Sequence, residues 1–460
     1  MYSLKMKQEL GRDLKNIFRR IRKRDFSGNT GIVIKNSAIQ FSTNVVAKGG
    51  SLLFTIILAR MLMPELFGLY SLALSTILIF ATFSELGIGH TLIRFVSKEF
   101  AKNKKKIKAK SYTIYLGKLR LSLIFISMLI LVISARLISN NYYQKPIFLA
   151  LVAGSLYILF VGITGFLQSL LQASNYFKGV LYKEIIFQII RLIMIPLLIL
   201  FSLKQLFSSE SILFFIILGL SFSYLISSIF LLIFSKNKLK YLTEKEIKLS
   251  YLEKKKVNKF ILPVFATVIT AIFFGSIDIV MLGRFVLSEY IGYYMAALSL
   301  VAAIAPLITF SVVLLPIFSR MVGKKLENAF KKSIRIIFLL SFLAFLFVLL
   351  FASQIIQIIF GVEYLPSINI LRFFSLLLIS SPLIAIYTSY FVAKGKPIII
   401  TKILIISIVV NIILNLLAIF LLMDYGGLFV VYGVTGATII SNWFYMFGLM
   451  ISKKKEKIKS

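Results

Sequence analysis

Apolar residues run along the chain in stretches of helical length, each closed by a short polar or basic break. A bilayer-spanning helix needs about 20 mostly apolar residues. The pattern predicts twelve such helices, over residues 36–59, 67–89, 115–135, 146–171, 179–202, 211–234, 260–283, 289–316, 333–358, 368–391, 398–422 and 428–451. The first stretch is unlike the others. Asn36, Gln40, Asn44 and Lys48 follow one another at four-residue steps, and Ser51 and Thr55 continue the series. At about 100° per residue all six fall within an arc of roughly 120°. A polar stripe has no use against lipid, which leaves two readings. It lines a hydrated cavity with Lys48 near mid-membrane, or it is a helix–helix seam glued by amides.

Composition agrees with an all-α polytopic membrane protein. Of 460 residues 59% are apolar and 15% charged, with a mean hydropathy of +0.93, whereas soluble domains average roughly 45–50% and about 25%. The chain has no cysteine and one histidine, which excludes thiol catalysis, disulfides and the usual Cys/His metal sites. No GxxxxGK[ST] phosphate loop and no HExxH motif occurs, and the expected loops opposite the linker are too short for a catalytic domain. The sequence therefore predicts neither an enzyme nor a cofactor site.

A net charge of +36 would suggest a nucleic-acid partner in a soluble chain. Here its distribution matters more. Of the 53 lysines and arginines, 45 fall in the two termini and in the basic segments that carry the even-to-odd connections. Those segments run into the ends of the flanking spans at Lys118, Arg120, Lys183, Arg335 and Lys402. Six (Arg60, Arg136, Lys145, Lys204, Arg284, Arg372) fall on the opposite side. Under the positive-inside rule both termini are cytosolic, in the cell membrane, and no nucleic acid is expected. The chain then divides into a basic arm 1–35, a six-helix bundle 36–235, a cytosolic linker 236–259, a second bundle 260–452 and a basic tail 453–460. In the arm, Leu10, Leu14, Ile17, Phe18 and Ile21 stand at helical spacing. It is either an amphipathic helix on anionic membrane lipids or a solvated tail.

The halves are copies. Residues 59–75, ARMLMPELFGLYSLALS, align without a gap on 283–299, GRFVLSEYIGYYMAALS, and share Arg60/Arg284, Glu65/Glu289, Gly68/Gly292, Tyr70/Tyr294 and three further positions. The shift of 224 residues corresponds to six spans, an even number, so the repeat is parallel. Two bundles around a central cavity follow. LARMLMPELFGLYSLALS (58–75), SELGIGHTLIRF (84–95), SIDIVMLGRF (276–285) and the region around Asn411 and Asn415 resemble Wzx-type polysaccharide-biosynthesis flippases of the MATE-like exporter superfamily. That resemblance implies a lipid-linked oligosaccharide as substrate, flipped from the cytosolic to the outer leaflet by alternating access. It also implies work alongside other polysaccharide-assembly proteins. A small-molecule or multidrug antiporter of the same fold is the alternative.

An ionisable group inside the bilayer costs about 2.5–3.5 kcal/mol on insertion scales, so such groups mark candidate sites. Lys48, with Asn44 and Gln40, and Arg191, with Gln188, are the candidate substrate contacts, since a guanidinium grips phosphate oxygens in pairs. Glu184 shares a face with Gln188 and Arg191, and the three could equally form a structural stack. Glu85 is read as a partner for Lys48, a protonatable coupling group or an interfacial carboxylate. Asp278, on one side of its helix with Pro263, Thr267 and Thr270, is expected to pair with Arg284 or Arg60 at a gate or to couple a proton or sodium ion. Arg60 with Glu289 and Arg284 with Glu65 are expected to cross-pair between the halves, or each to cap its own turn. Asn411 and Asn415 with Ser407, and Thr435, Thr438 and Asn442, read as helix glue. Pro196, Pro263, Pro306, Pro316 and Pro382 predict kinks. The orientation is testable because the chain has no cysteine. A cysteine replacing Lys248 should resist an impermeant thiol reagent in intact cells, and labelling there would invert the topology.

Overall fold

The computed structural model describes residues 28–100, 107–243, 247–309, 318 and 323–458. The arm sequence around Leu10–Ile21 and Pro316 lie outside the described residues. So do the side chains of Pro263, Thr267 and Thr270. Every regular element among the described residues is helical. The first half comprises α1 (Gly28–Glu85), α2 (Ile88–Phe100), α3 (Ile107–Arg136), α4 (Phe148–Ala173), α5 (Phe177–Lys204) and α6 (Ser209–Lys238). The second comprises α7 (Tyr251–Phe285), α8 (Ser288–Thr309), α9 (Gly323–Ile359), α10 (Ser367–Phe374), α11 (Leu377–Ala393), α12 (Pro397–Leu422) and α13 (Gly427–Ile458).

Ten stretches among the described residues are long and apolar enough to cross a membrane. One of them, Lys35–Phe100, is 66 residues long, about 99 Å at 1.5 Å per residue and too long for one crossing. It breaks at Met63, whose φ of 59° and ψ of 170° leave the helical region. Pro64 follows. A residue before proline is biased away from helical ψ, and proline at the start of the next limb sacrifices no hydrogen bond. The limbs 28–62 and 64–85 thus hold the first two spans. With α7, a 35-residue helix, the count comes to about twelve, as the hydropathy pattern predicts.

The repeat is visible as a contact. Gly68 packs on the backbone of Ser288, where an added Cβ would lie 1.7 Å from its carbonyl oxygen. Gly292 packs on Pro64, where the corresponding distance is 2.1 Å. Each pair is the 224-residue image of the other. Only the absence of a side chain lets these backbones approach so closely.

Burial is uneven along the seam between halves. At the end carrying Arg60 and Arg284 one apolar core runs through both halves, from Leu58, Leu62, Phe67 and Leu72 to Leu282, Ile291 and Tyr294. At the opposite end, where the linker lies, the core splits among the described residues. One cluster joins α2, α3 and α4 with Val257 and Ile261 of α7, and another lies within the second half around Phe330, Ile386, Tyr390 and Leu449. The start of α7 therefore docks on the first half. Lys108 pairs with Glu253 at 2.7 Å, Tyr115 donates to Asn258 at 2.9 Å, and Arg94 stacks 4.2 Å over Phe260. Glu253 also completes a capping box with Ser250. The hydrogen bond from Lys108, then that from the Ser250 backbone, holds the Glu253 carboxyl below the usual carboxylate range. This contribution is present above the unfolded-state pKa and lost as pH falls through the depressed folded one. An exposed tie of this kind is worth about 0–1 kcal/mol. Glu253→Gln should accordingly leave thermal unfolding near neutral pH within about 1 kcal/mol of the parent, while raising thiol labelling of a cysteine placed at Asn258. Unchanged labelling would show that the tie does not hold α7 in place.

Candidate functional site

Limb 28–62 carries its polar stripe into the first half, and there the stripe divides. Its lower part is a seam with α4 and α5. Asn36 donates to Asn175 at 3.4 Å, and Gln172 donates to Gln40 at 3.4 Å, which donates on to Asn44 at 3.2 Å. Higher up, Gly50 lets α5 approach, since a Cβ there would sit 2.3 Å from Gln188 Oε1. Gln188 donates to Glu184 at 2.7 Å and to the Ala47 carbonyl at 3.5 Å. Glu184 also pairs with Lys183 at 2.9 Å. Lys183, counted as a connecting-loop cation in the sequence, is buried here.

Arg191 is 8% exposed. It donates through Nη2 to Ser51 at 3.0 Å and lies 4.6 Å and 4.9 Å from the ring centroids of Phe54 and Phe187. Among the described residues its Nε is buried with no partner, as is Gln188 Oε1. Lys48 is exposed on the same limb and makes no ion pair or hydrogen bond among the described residues. The Lys183–Glu184 pair neutralises itself, so Lys48 and Arg191 leave this region net positive.

Lys48 and Glu85 do not meet. Glu85 closes limb 64–85, facing Gly89 and Ser169. Counted at 1.5 Å per residue from the Met63 break, it lies about 10 Å farther along the bundle than Lys48. The cation in its field is Arg120, by sequence part of the basic segment after the second span. Arg120 is 6% exposed and donates to the carbonyls of Ser84 at 2.8 Å and Gly162 at 3.3 Å. A guanidinium suits this place because the last carbonyls of a helix have no partner of their own.

The second half holds the counterpart acid. Asp278 is 5% exposed. Oδ1 accepts from Asn415 at 2.6 Å, and Oδ2 accepts from Tyr294 at 2.9 Å and Thr438 at 2.7 Å. Asn415 also donates to Asn411 at 3.3 Å, and Asn411 to Ser441 at 3.3 Å. The expected pairing with Arg284 or Arg60 is therefore corrected. Arg284 is six residues on, about 120° around the helix from Asp278, and points elsewhere. Asn411, Asn415 and Thr438, read as glue, are partners of this carboxylate. One sequence signal pointed here: Tyr294 is the repeat image of Tyr70, and Tyr70 lies in the electrostatic field of Arg191. Equivalent tyrosines thus attend a buried base in one half and a buried acid in the other.

The Arg60–Glu289 and Arg284–Glu65 pairs do not form either. Arg60 donates to the carbonyls of Ile359, at 2.8 Å, and of Ile358. Arg284 donates to those of Tyr142, at 2.6 Å, and Asn141, at 3.3 Å. These carbonyls end α9 and the π-helical extension of α3, where unpaired acceptors and the helix dipole favour a cation.

Two six-helix bundles related by a repeat make up a MATE-like fold. The chain belongs to the polysaccharide biosynthesis protein family, whose model matches residues 33–322. No curated protein matches it in sequence. Among solved structures it is similar to the lipid II flippase MurJ in an inward closed conformation, with TM-score 0.69, 17% identity, and coverage of 92% of this chain and 87% of that one. It is also similar to an inward-facing multidrug resistance MATE family transporter, with TM-score 0.63, 15% identity, and coverage of 89% and 96%. A third is a Pyrococcus furiosus transporter of the same superfamily, described as having a binding pocket of reversed polarity (TM-score 0.54, 15% identity, 91% and 95% covered).

Arg120 offers a structural test. Replacing it with methionine keeps the volume but strands the Ser84 carbonyl and takes the nearby cation from Glu85, so thermal unfolding in detergent should show a loss of about 1–3 kcal/mol. An unchanged transition would mean that these bonds hold nothing.

Proposed function

We propose that this protein flips a polyprenyl (pyro)phosphate-linked oligosaccharide from the cytosolic to the outer leaflet of the cell membrane, by alternating access of its two halves. In this reading the linker end faces the cytosol, as the 45-to-6 distribution of lysine and arginine suggests. The observation that carries the reading is the unpaired positive charge of the first half. Lys48 has no carboxylate partner among the described residues, and Arg191 keeps a free Nε. A phosphate diester or diphosphate supplies the acceptor oxygens that both lack, and charge-assisted bonds of this kind are about twice as strong as neutral ones. Asn44 and Gln40, half-buried in the adjoining seam, and the Oε1 of Gln188, unpartnered among the described residues, are the neutral polar groups of this region that sugar hydroxyls could engage. Membership of the polysaccharide biosynthesis family supports the same substrate class.

Asp278 is the candidate coupling group. Its carboxylate is buried among neutral donors, with no cation beside it among the described residues. An ionised carboxylate in that setting is costly, so a proton or a monovalent cation would bind there. The MATE neighbours favour a second reading, an ion-coupled small-molecule antiporter. A cationic drug, however, would meet repulsion from Lys48 and Arg191.

Two measurements test this in proteoliposomes carrying a fluorescent polyprenyl-diphosphate oligosaccharide. Lys48→Ala should slow flipping about tenfold or more, because it removes a charge-assisted contact, while Lys48→Arg should retain partial activity. Equal, near-normal rates for both would remove Lys48 from the substrate site. Asp278→Asn should abolish the dependence of flipping on an imposed proton or sodium gradient while substrate still binds. A gradient response like that of the parent would exclude Asp278 as the coupling group.

A further inference from the structure

We propose that Arg60 and Arg284 form a two-fold clasp that sets the closed–open equilibrium of the seam at their end of the molecule. Each guanidinium leaves its own half and caps the last free carbonyls of the third spanning helix of the other half. Arg60 reaches Ile358 and Ile359 at the end of α9. Arg284 reaches Asn141 and Tyr142 just beyond α3. Two further bonds cross the same seam in opposite senses. Tyr364 donates to the Ala59 carbonyl at 2.8 Å, and Lys145 donates to the Val286 carbonyl at 2.9 Å. All four donors thus end on backbone oxygens, and none of these crossings uses a carboxylate.

The chemistry of those acceptors makes the clasp reversible. A carbonyl at a helix end is unpaired by the geometry of the helix, so it accepts a guanidinium or water with little rearrangement. Arg60 and Arg284 are both exposed, so on release each can be hydrated in place. Beneath them the Gly68–Ser288 and Gly292–Pro64 contacts are backbone against backbone. Such surfaces separate without unthreading side chains. The seam therefore has a smooth face, four polar ties and an apolar core behind them. A carboxylate in place of the carbonyls would tie the clasp to pH and salt. Backbone acceptors do not titrate, so near neutral pH its release depends on what binds deeper in the halves.

The clasp rests on the reading of the protein as an alternating-access transporter, but its test needs no substrate and no assigned orientation. Spin labels on cysteines replacing Glu65 and Glu289 report the separation of the halves at this end. A control pair replacing Glu65 and Lys204 reports the first half alone. In purified protein the Arg60→Gln/Arg284→Gln variant should move the ratio of short to long Glu65–Glu289 separations about tenfold toward the long form, and each single change should move it less. The control pair should stay where it is. Gly292→Ala, which drives a Cβ against the Pro64 carbonyl and touches neither arginine, should produce the same shift. If both variants keep the parent distribution, the arginines are passive helix caps and the clasp is wrong. Failure of oligosaccharide flipping with a normal shift in separation would instead overturn the substrate reading and leave the clasp standing.

Discussion

Within hydrocarbon no water is at hand to satisfy a polar atom, and every buried charge must find its partners inside the protein. That constraint organises this molecule. Arg191 is held by Ser51 and two aromatic faces, Lys183 by Glu184, Arg120 by two carbonyls, and Asp278 by Asn415, Thr438 and Tyr294. Each set draws on at least two helices except the Lys183–Glu184 pair, which Gln188 links to limb 28–62. Polar satisfaction therefore fixes helix packing where apolar side chains alone would slide, because lipid tails compete equally for apolar contacts.

The repeat supplies a symmetric frame, and the charges break the symmetry. Tyr70 and Tyr294 occupy equivalent places, yet the first has Arg191 in its field and the second donates to Asp278. The repeated bundle thus carries a buried base in its first copy and a buried acid in its second. On the proposed function an anion meets the first, while a proton or cation meets the second. Both occupants would act on helices that meet at the same seam. Coupling through that seam requires only that each occupant favour one arrangement of the halves over the other.

How much of this was legible in the sequence follows the same physics. The twelve spans were, because length and hydropathy are one-dimensional quantities, and so was the repeat, because Arg60, Gly68 and Tyr70 recur at a fixed shift. Partners were not. Asp278 finds Asn415 and Thr438 more than a hundred residues away, and nothing in local spacing distinguishes them from helix glue. The acceptors of Arg60 and Arg284 are backbone oxygens, which leave no mark on residue identity at all. Counting lysines and arginines as loop residues concealed Lys183 and Arg120, since a charge with a good partner can sit where hydropathy alone forbids it. The polar stripe of the first span was visible, but its division into an amide seam and an exposed Lys48 depended on where α4 and α5 lie.

The uneven core gives the conformation a direction. At the Arg60/Arg284 end the halves share one apolar cluster, while at the linker end each half closes on its own, with the start of α7 held to the first half by Glu253, Asn258 and Phe260. Separating the shared core exposes apolar surface at about 25 cal/mol per Å² wherever water enters. The described contacts at the linker end are those of the start of α7, a smaller apolar contact through Val257 and Ile261 with exposed ties of about 0–1 kcal/mol each. Among the described residues the two ends of the seam are therefore unequal in cost, with the more extensive shared core at the Arg60/Arg284 end. An occupant that bridges the halves from within must offset that difference before the sealed end can part. On the proposed function, a large ligand held by Lys48 and Arg191 in the first half and long enough to reach the second is better suited to do so than a small one that meets the first half alone.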